Sequence, residues 1–97
     1  MVYLLSKIPI QIENVEFKNI DKEIMRAAMI AELDAINLYE QMADMTDDEN
    51  IKEILHDIAR EEMIHVAMFE TVLLQVDEEF LKAYSEYSLA RDTCIKK

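Results

Sequence analysis

The sequence predicts an all-α protein: an antiparallel two-helix hairpin with a short C-terminal third helix, dimerising into a four-helix bundle. Three observations predict it. The 97 residues include no glycine and one proline, so turns that need positive φ have no ready residue, which favours helices with few connections. Apolar residues recur at alternating spacings of three and four along two long stretches. Two helices cannot bury that much apolar surface alone in a chain whose core is thin, which points to an oligomer.

The elements follow in order. Residues 1–20 read as an extended arm: Ile8, Ile10 and Ile12 alternate with Pro9 and Gln11, and Pro9 confines such a strand to an edge, packed on a neighbour. Residues 21–97 form one helical domain. Its first helix spans 21–45, with Asn19 and Asp21 as N-cap candidates. Ala27 to Ala31 is apolar almost all round, so this helix is contacted on more than one side. Its most polar line is Glu23, Arg26, Asp34, Asn37, Gln41 and Asp44. Thr46 and Glu49 have the spacing of a capping box, predicting a second helix over 47–75. Asp77 caps a third helix from Glu78 to Arg91, with Phe80, Leu81, Tyr84, Tyr87 and Leu89 as its apolar line and a frayed tail from Asp92.

Charge excludes several function classes. Ten Lys and Arg against 21 Asp and Glu give a formal net charge of −11. Such a surface repels phosphate backbones and anionic headgroups, which argues against nucleic-acid and membrane partners and favours multivalent cations. A hydrophobic fraction of 52% is too high for a disordered acidic tail. No apolar run reaches the length of a membrane span, and Met1 to Ile10 lacks the basic start and cleavage site of a signal peptide. Cys94 is the single cysteine, so it forms no internal disulfide, in keeping with a reducing cytoplasmic setting.

The chemistry lies where the stripes are interrupted. The second helix carries Ile51, Leu55, Ile58, Glu62, His65, Phe69, Val72 and Val76. The first carries Met25, Met29, Glu32, Ile36, Tyr39 and Ala43, with Glu32 about 160° from Asp34. A tight hairpin turning near Asp47 pairs residues whose numbers sum to about 94, which sets Glu32 level with Glu62 and within a turn of His65. A lone histidine on an apolar stripe is usually a satisfied core residue, and a lone seam glutamate usually marks a helix end. Neither reading suits three interruptions at one level in the middle of two helices. A buried carboxylate without a partner costs several kcal/mol, and no Lys or Arg occupies a neighbouring seam position. A divalent cation resolves the conflict, with Glu32, Glu62 and His65 as candidate metal ligands and catalytic residues. The seven methionines read as core filler, since thioethers suit softer metals.

One carboxylate from one helix plus Glu-x-x-His from the next is half the ligand set of a di-iron helical bundle. The other half is missing, because His56 falls on the outer side and Glu61 lies about 100° from Glu62. A second copy must supply it.

Residues 24–92, through IAELDAINLYEQMADMTDDENIKEILHDIAREEMIHVAMFETVLL, resemble the encapsulated ferritin-like proteins, half-length relatives of ferritin and rubrerythrin. The shared motif is a Glu, 29 residues, then Glu-x-x-His, with Tyr seven after the first Glu. The resemblance implies a di-iron ferroxidase centre between two hairpins, with Glu32, Glu62 and His65 as iron ligands and Tyr39 as the nearby hydrogen-bonding aromatic. It also implies dimers assembled into a ring such as a decamer, and delivery of Fe³⁺ to a surrounding encapsulin shell for storage, inside a cytoplasmic nanocompartment. The family's outer metal-entry positions read Ala31, Asp34 and Leu38 here, of which Asp34 alone fits. The arm is not covered by the resemblance. The C-terminal Cys94-Ile95-Lys96-Lys97 carries no Gly- or Pro-rich targeting linker, which leaves truncation, fusion to another domain, or action outside a shell open. Two rival functions stand beside ferroxidase: a rubrerythrin-like peroxide reductase, for which one cysteine provides no rubredoxin-type site, and a non-enzymatic oligomer stapled by a metal.

Overall fold

The computed structural model describes the backbone of residues 19–95 and the side chains of residues 19–89. The expected arm therefore lies outside the described residues as far as residue 18, and residues 19 and 20 already belong to the start of the first helix. Three helices make up the described residues: α1 (Ile20–Met45), α2 (Glu49–Val76) and α3 (Glu78–Ile95). No residue among them has positive φ, as a glycine-free chain requires.

The caps differ in part from expectation. Asn19 is the N-cap of α1 but its side chain makes no capping hydrogen bond. The Thr46–Glu49 capping box does not form. Asp48 caps α2 instead, its Oδ1 accepting from the N–H groups of Asn50 at 2.9 Å and Ile51 at 3.1 Å. Thr46 Oγ1 accepts from the Asp48 N–H at 3.1 Å and braces the turn. A carboxylate reaches two free N–H groups at the positive end of a helix, so it displaces the neutral hydroxyl as cap. Helix α3 continues to Ile95, past the expected end at Arg91 and through the tail expected to fray.

α1 and α2 pack antiparallel along their length. The most deeply buried positions on the seam are alanines: Ala43 at 0% exposure, Ala35 and Ala59 at 2%. Small side chains there let the helix axes approach closely. The seam on α2 runs through Leu55, Ala59, Val66 and Leu73, and only Ala59 and Leu73 are fully buried. It is rotated from the predicted stripe. Ile51, Val72 and Val76 of that stripe stay exposed, together with Ile54 and Met68 on the same face. The apolar arc of α2 is wider than one neighbour can cover, so part of it faces α1 and part faces outward. Methionines are not confined to the core: Met45, Met63 and Met68 are exposed. Asp34, expected on the solvated line, is buried at 8% exposure.

Asp77 joins the three helices. It is the single residue between α2 and α3, with φ −125° and ψ 95°. Its N–H donates to the Leu73 carbonyl at 2.9 Å, closing α2. Its Oδ1 accepts from the Phe80 N–H at 3.1 Å, capping α3 as the sequence predicts. Its Oδ2 accepts from Arg26 of α1, a partner the sequence reading did not assign. The molecule measures 49 × 46 × 17 Å. α2 is about 42 Å long and α3 about 27 Å at 1.5 Å per residue, so within a longest dimension of 49 Å the two cannot run on in line. The radius of gyration, 17.0 Å, exceeds the roughly 12 Å of a compact chain of this size.

The Asp77 carboxyl is held below its ordinary value of 3.8, first by the Phe80 N–H and then by the Arg26 guanidinium, which outweigh the opposing effect of burial. A depressed carboxylate adds stability above its unfolded value and loses it as pH falls through the folded value. At neutral pH, Asp77→Asn should cost about 1–3 kcal/mol, the range of a helix cap or charged hydrogen bond. Thermal melts across pH check this: the gap between wild type and variant should stay constant above pH 3.8 and shrink below it. A gap that persists unchanged to pH 2 would rule out the charge as its source.

Candidate metal centre

Glu32 sits mid-way along α1, and Glu62 and His65 project from one face of α2, a turn apart. The alanine seam draws the helices close enough for the three side chains to meet. His65 Nδ1 lies 3.2 Å from Glu32 Oε2 and 3.4 Å from Glu62 Oε2. One ligand atom from each of the three falls within 4.8 Å of the others. The hairpin register predicted from Glu32 and Glu62 is thus the observed one. His56 and Glu61 are exposed and outside this cluster; His56 stands on the outer surface of α2 among Glu49, Lys52, Glu53, Asp57 and Arg60.

Tyr39 is half-buried on α1 and makes no hydrogen bond to the three among the described residues. It stands seven residues from Glu32, about 10 Å along the helix axis, beyond hydrogen-bond reach within one chain.

The electrostatics favour a cation. At an effective dielectric near 20, two carboxylate charges about 4–5 Å apart repel by roughly 3–4 kcal/mol before solvent screening. Neither Glu32 nor Glu62 pairs with Lys or Arg among the described residues; the imidazole is their shared partner. As a neutral ring it offers Nδ1–H to one carboxylate at a time. A divalent ion between the three atoms would satisfy both acids at once, and carboxylate with imidazole is a donor set that suits iron, manganese or zinc. The donors present therefore fit a metal.

The cluster is lopsided. The side chains of Glu62 and Glu32 are 14% and 22% exposed, while that of His65 is 48% exposed. Its inner side is closed by the hairpin. Its outer side opens onto the uncovered apolar stripe of α2, which carries Met68 one turn from His65 and Ile54 and Val72 further along. A cation held by these three donors would be approached by further donors from that side.

Comparison with known proteins follows this geometry. A family model described as EncFtn-like matches residues 8–89, so it extends into the segment 1–20 that the sequence resemblance left uncovered. A ferritin-like-encapsulin shell fusion protein from Pyrococcus furiosus is 61% identical over 57 residues, 59% of this chain and 16% of that protein. The encapsulin nanocompartment cargo protein EncC from Myxococcus xanthus is 42% identical over 65 residues, 64% of this chain and 50% of that protein. The chain therefore spans half or less of the curated relatives it matches. The crystal structure of the encapsulated ferritin domain from Pyrococcus furiosus superposes with a TM-score of 0.71 at 44% identity, covering 92% of this chain and 93% of that one. No described helix is long and apolar enough to cross a membrane.

The cluster yields a stability prediction of unusual sign. In chelator, Glu62→Leu should melt at or above wild type, because it removes a carboxylate from an unfavourable pair. Metal should reverse the order: a ligand at 100 times its Kd stabilises wild type by about 2.7 kcal/mol. Differential scanning calorimetry with chelator and with anaerobic Fe²⁺ decides it. Wild type melting higher in chelator, with no gain from metal, would show that the acids serve a structural partner instead.

Proposed function

Because the chain belongs to the EncFtn-like family, we propose that it is a ferroxidase that takes Fe²⁺ as substrate between two copies and oxidises it to Fe³⁺ for iron storage or detoxification, in association with an encapsulin shell. The observation that carries the reading is the half set of ligands, Glu32, Glu62 and His65, gathered within 4.8 Å and left open on one side. Two such halves around a two-fold axis give four carboxylates and two imidazoles, enough charge to balance two Fe²⁺.

Each residue then has a role. Glu32 and Glu62 would hold iron as hard oxygen donors, whose charge suits both Fe²⁺ and Fe³⁺. His65 supplies one nitrogen per iron. Iron supplies the redox chemistry when bound, each Fe²⁺ giving one electron to O₂ or peroxide. Ile36, Ile58 and Phe69 beside the cluster keep bulk water from it once a second copy covers the open face. Tyr39, about 10 Å along the helix axis from Glu32 of its own chain, would hydrogen-bond near the centre from the facing copy. The names of the relatives, a shell fusion and a nanocompartment cargo protein, support the association with an encapsulin shell and an interior location. Dimers of this kind can close into a ring such as a decamer.

The test is aerobic Fe²⁺ oxidation with metal analysis. Glu32→Ala, Glu62→Ala and His65→Ala should each remove most of the oxidation, a loss of tenfold or more, while Glu61→Ala and His56→Ala keep it. Turnover with peroxide alone would replace the reading with a peroxide reductase, and metal-dependent assembly without turnover would leave a metal-stapled oligomer. Native mass spectrometry should find dimers or larger rings; an active, metal-binding monomer would dismiss the two-fold site.

A further inference from the structure

We propose that Met68 is an oxygen acceptor attached to the metal centre: its thioether takes an oxygen atom from hydrogen peroxide formed there and becomes methionine sulfoxide. Peroxide is thereby consumed before it leaves the site. The inference deepens the ferroxidase reading and rests on it.

Among the described residues three methionines are exposed: Met45 at 82%, Met68 at 60% and Met63 at 47%. They differ in where they stand. Met68 follows His65 by three residues on α2, a spacing that brings Cβ atoms to about 5–6 Å. It lies about 60° from His65 around the helix, on the open side of the cluster. Met63 lies about 160° from His65 and points to a different side of α2. Met45 ends α1, about 20 Å along the axis from Glu32. Met29, one turn before Glu32 on α1, is half-buried. A thioether is not required to cover the stripe, since Ile54 and Val72 line it with hydrocarbon. Nor does sulfur match the hard metal that two carboxylates select. What Met68 adds beside the centre is a group that oxidants convert readily and reversibly.

The step balances with peroxide as oxidant. O₂ that takes one electron from each of two Fe²⁺ ions and two protons from water leaves as H₂O₂. A lone pair of the Met68 sulfur attacks one peroxide oxygen, the O–O bond breaks, and a sulfur–oxygen bond forms. The second oxygen departs as hydroxide and receives the proton of the transferred hydroxyl, giving water. Sulfur is oxidised by two electrons and peroxide is reduced by two. Methionine sulfoxide reductases restore the thioether, so the acceptor is renewable. The proposed second copy would shield Met68 from peroxide in bulk water but not from peroxide released at the centre.

The test resolves the sites. Wild-type protein receives Fe²⁺ in air, in small repeated doses, and sulfoxide is quantified at each methionine by peptide mass spectrometry. Met68 should carry about fivefold more sulfoxide than Met45, Met63 or Met29. Iron-free protein in dilute H₂O₂ should show the opposite order, with Met45 ahead, as exposure alone dictates. Glu62→Leu, which lacks a ligand, should lose the excess at Met68 under Fe²⁺. Met68→Leu should still oxidise Fe²⁺ and should release more free H₂O₂, by about one molecule per chain, read with a peroxidase-coupled dye. Iron oxidised with Met68 no richer in sulfoxide than Met45 overturns the acceptor and leaves the ferroxidase reading standing. An undiminished excess in Glu62→Leu, sulfoxide concentrated at Met29, or no extra peroxide from Met68→Leu does the same. Wild type that oxidises no Fe²⁺ fails the ferroxidase reading and the acceptor with it.

Discussion

The close approach of α1 and α2 over three alanines is the contact on which the rest depends. Ala35, Ala43 and Ala59 have almost no exposed surface, and none of them brings a large apolar side chain to the seam. What they contribute is proximity. Glutamate and histidine are short enough that a wider helix spacing would leave Glu32 and His65 out of contact, and the 3.2 Å separation would be lost. The stability of the hairpin therefore has to come from elsewhere along the helices, from residues such as Leu73 and Ile36 and from whatever covers the outer stripe. A seam built for nearness rather than for burial is a reasonable property of a site, and a poor one for a self-sufficient domain.

Much of this was legible in the sequence. The absence of glycine, the stripe spacing and the sum of 94 gave the helices, their register and the meeting of Glu32, Glu62 and His65. The less legible parts have physical causes. The α2 stripe was read as one seam, but an apolar arc of about 160°, from Met68 round to Val66, serves two neighbours, and periodicity alone does not divide it between them. The start of α2 was read from a capping-box pattern, while an aspartate one position upstream competes for the same N–H groups and wins through its charge. Asp34 was assigned to water from its own helix face, and burial depends on what lies against that face. Arg26 was read on the polar line of α1; its partner Asp77 stands at the far end of another helix, which a reading of one helix face does not pair with it.

The polar centre and the outer stripe explain one another. The cluster has its inner side closed and His65 half-exposed, on the same side of α2 that carries Ile54, Met68 and Val72. Apolar residues around a charged cluster would be an aggregation liability on a lone chain. Under the proposed second copy they would form a dry rim, in which carboxylates attract a cation more strongly. The hairpin and α3 share their fold with a solved encapsulated ferritin domain over 92% of the chain.

The 17 Å thickness has a consequence for how the chain lives before it meets a partner. Helix axes pack about 8–10 Å apart, so a plate this thin holds one seam and nothing beneath it. If a second copy covers the outer stripe, as proposed, folding and association are coupled, and a newly made copy waits for its partner with that stripe exposed. Production in bursts, or from many ribosomes on one message, would shorten that interval more effectively than any single stabilising substitution.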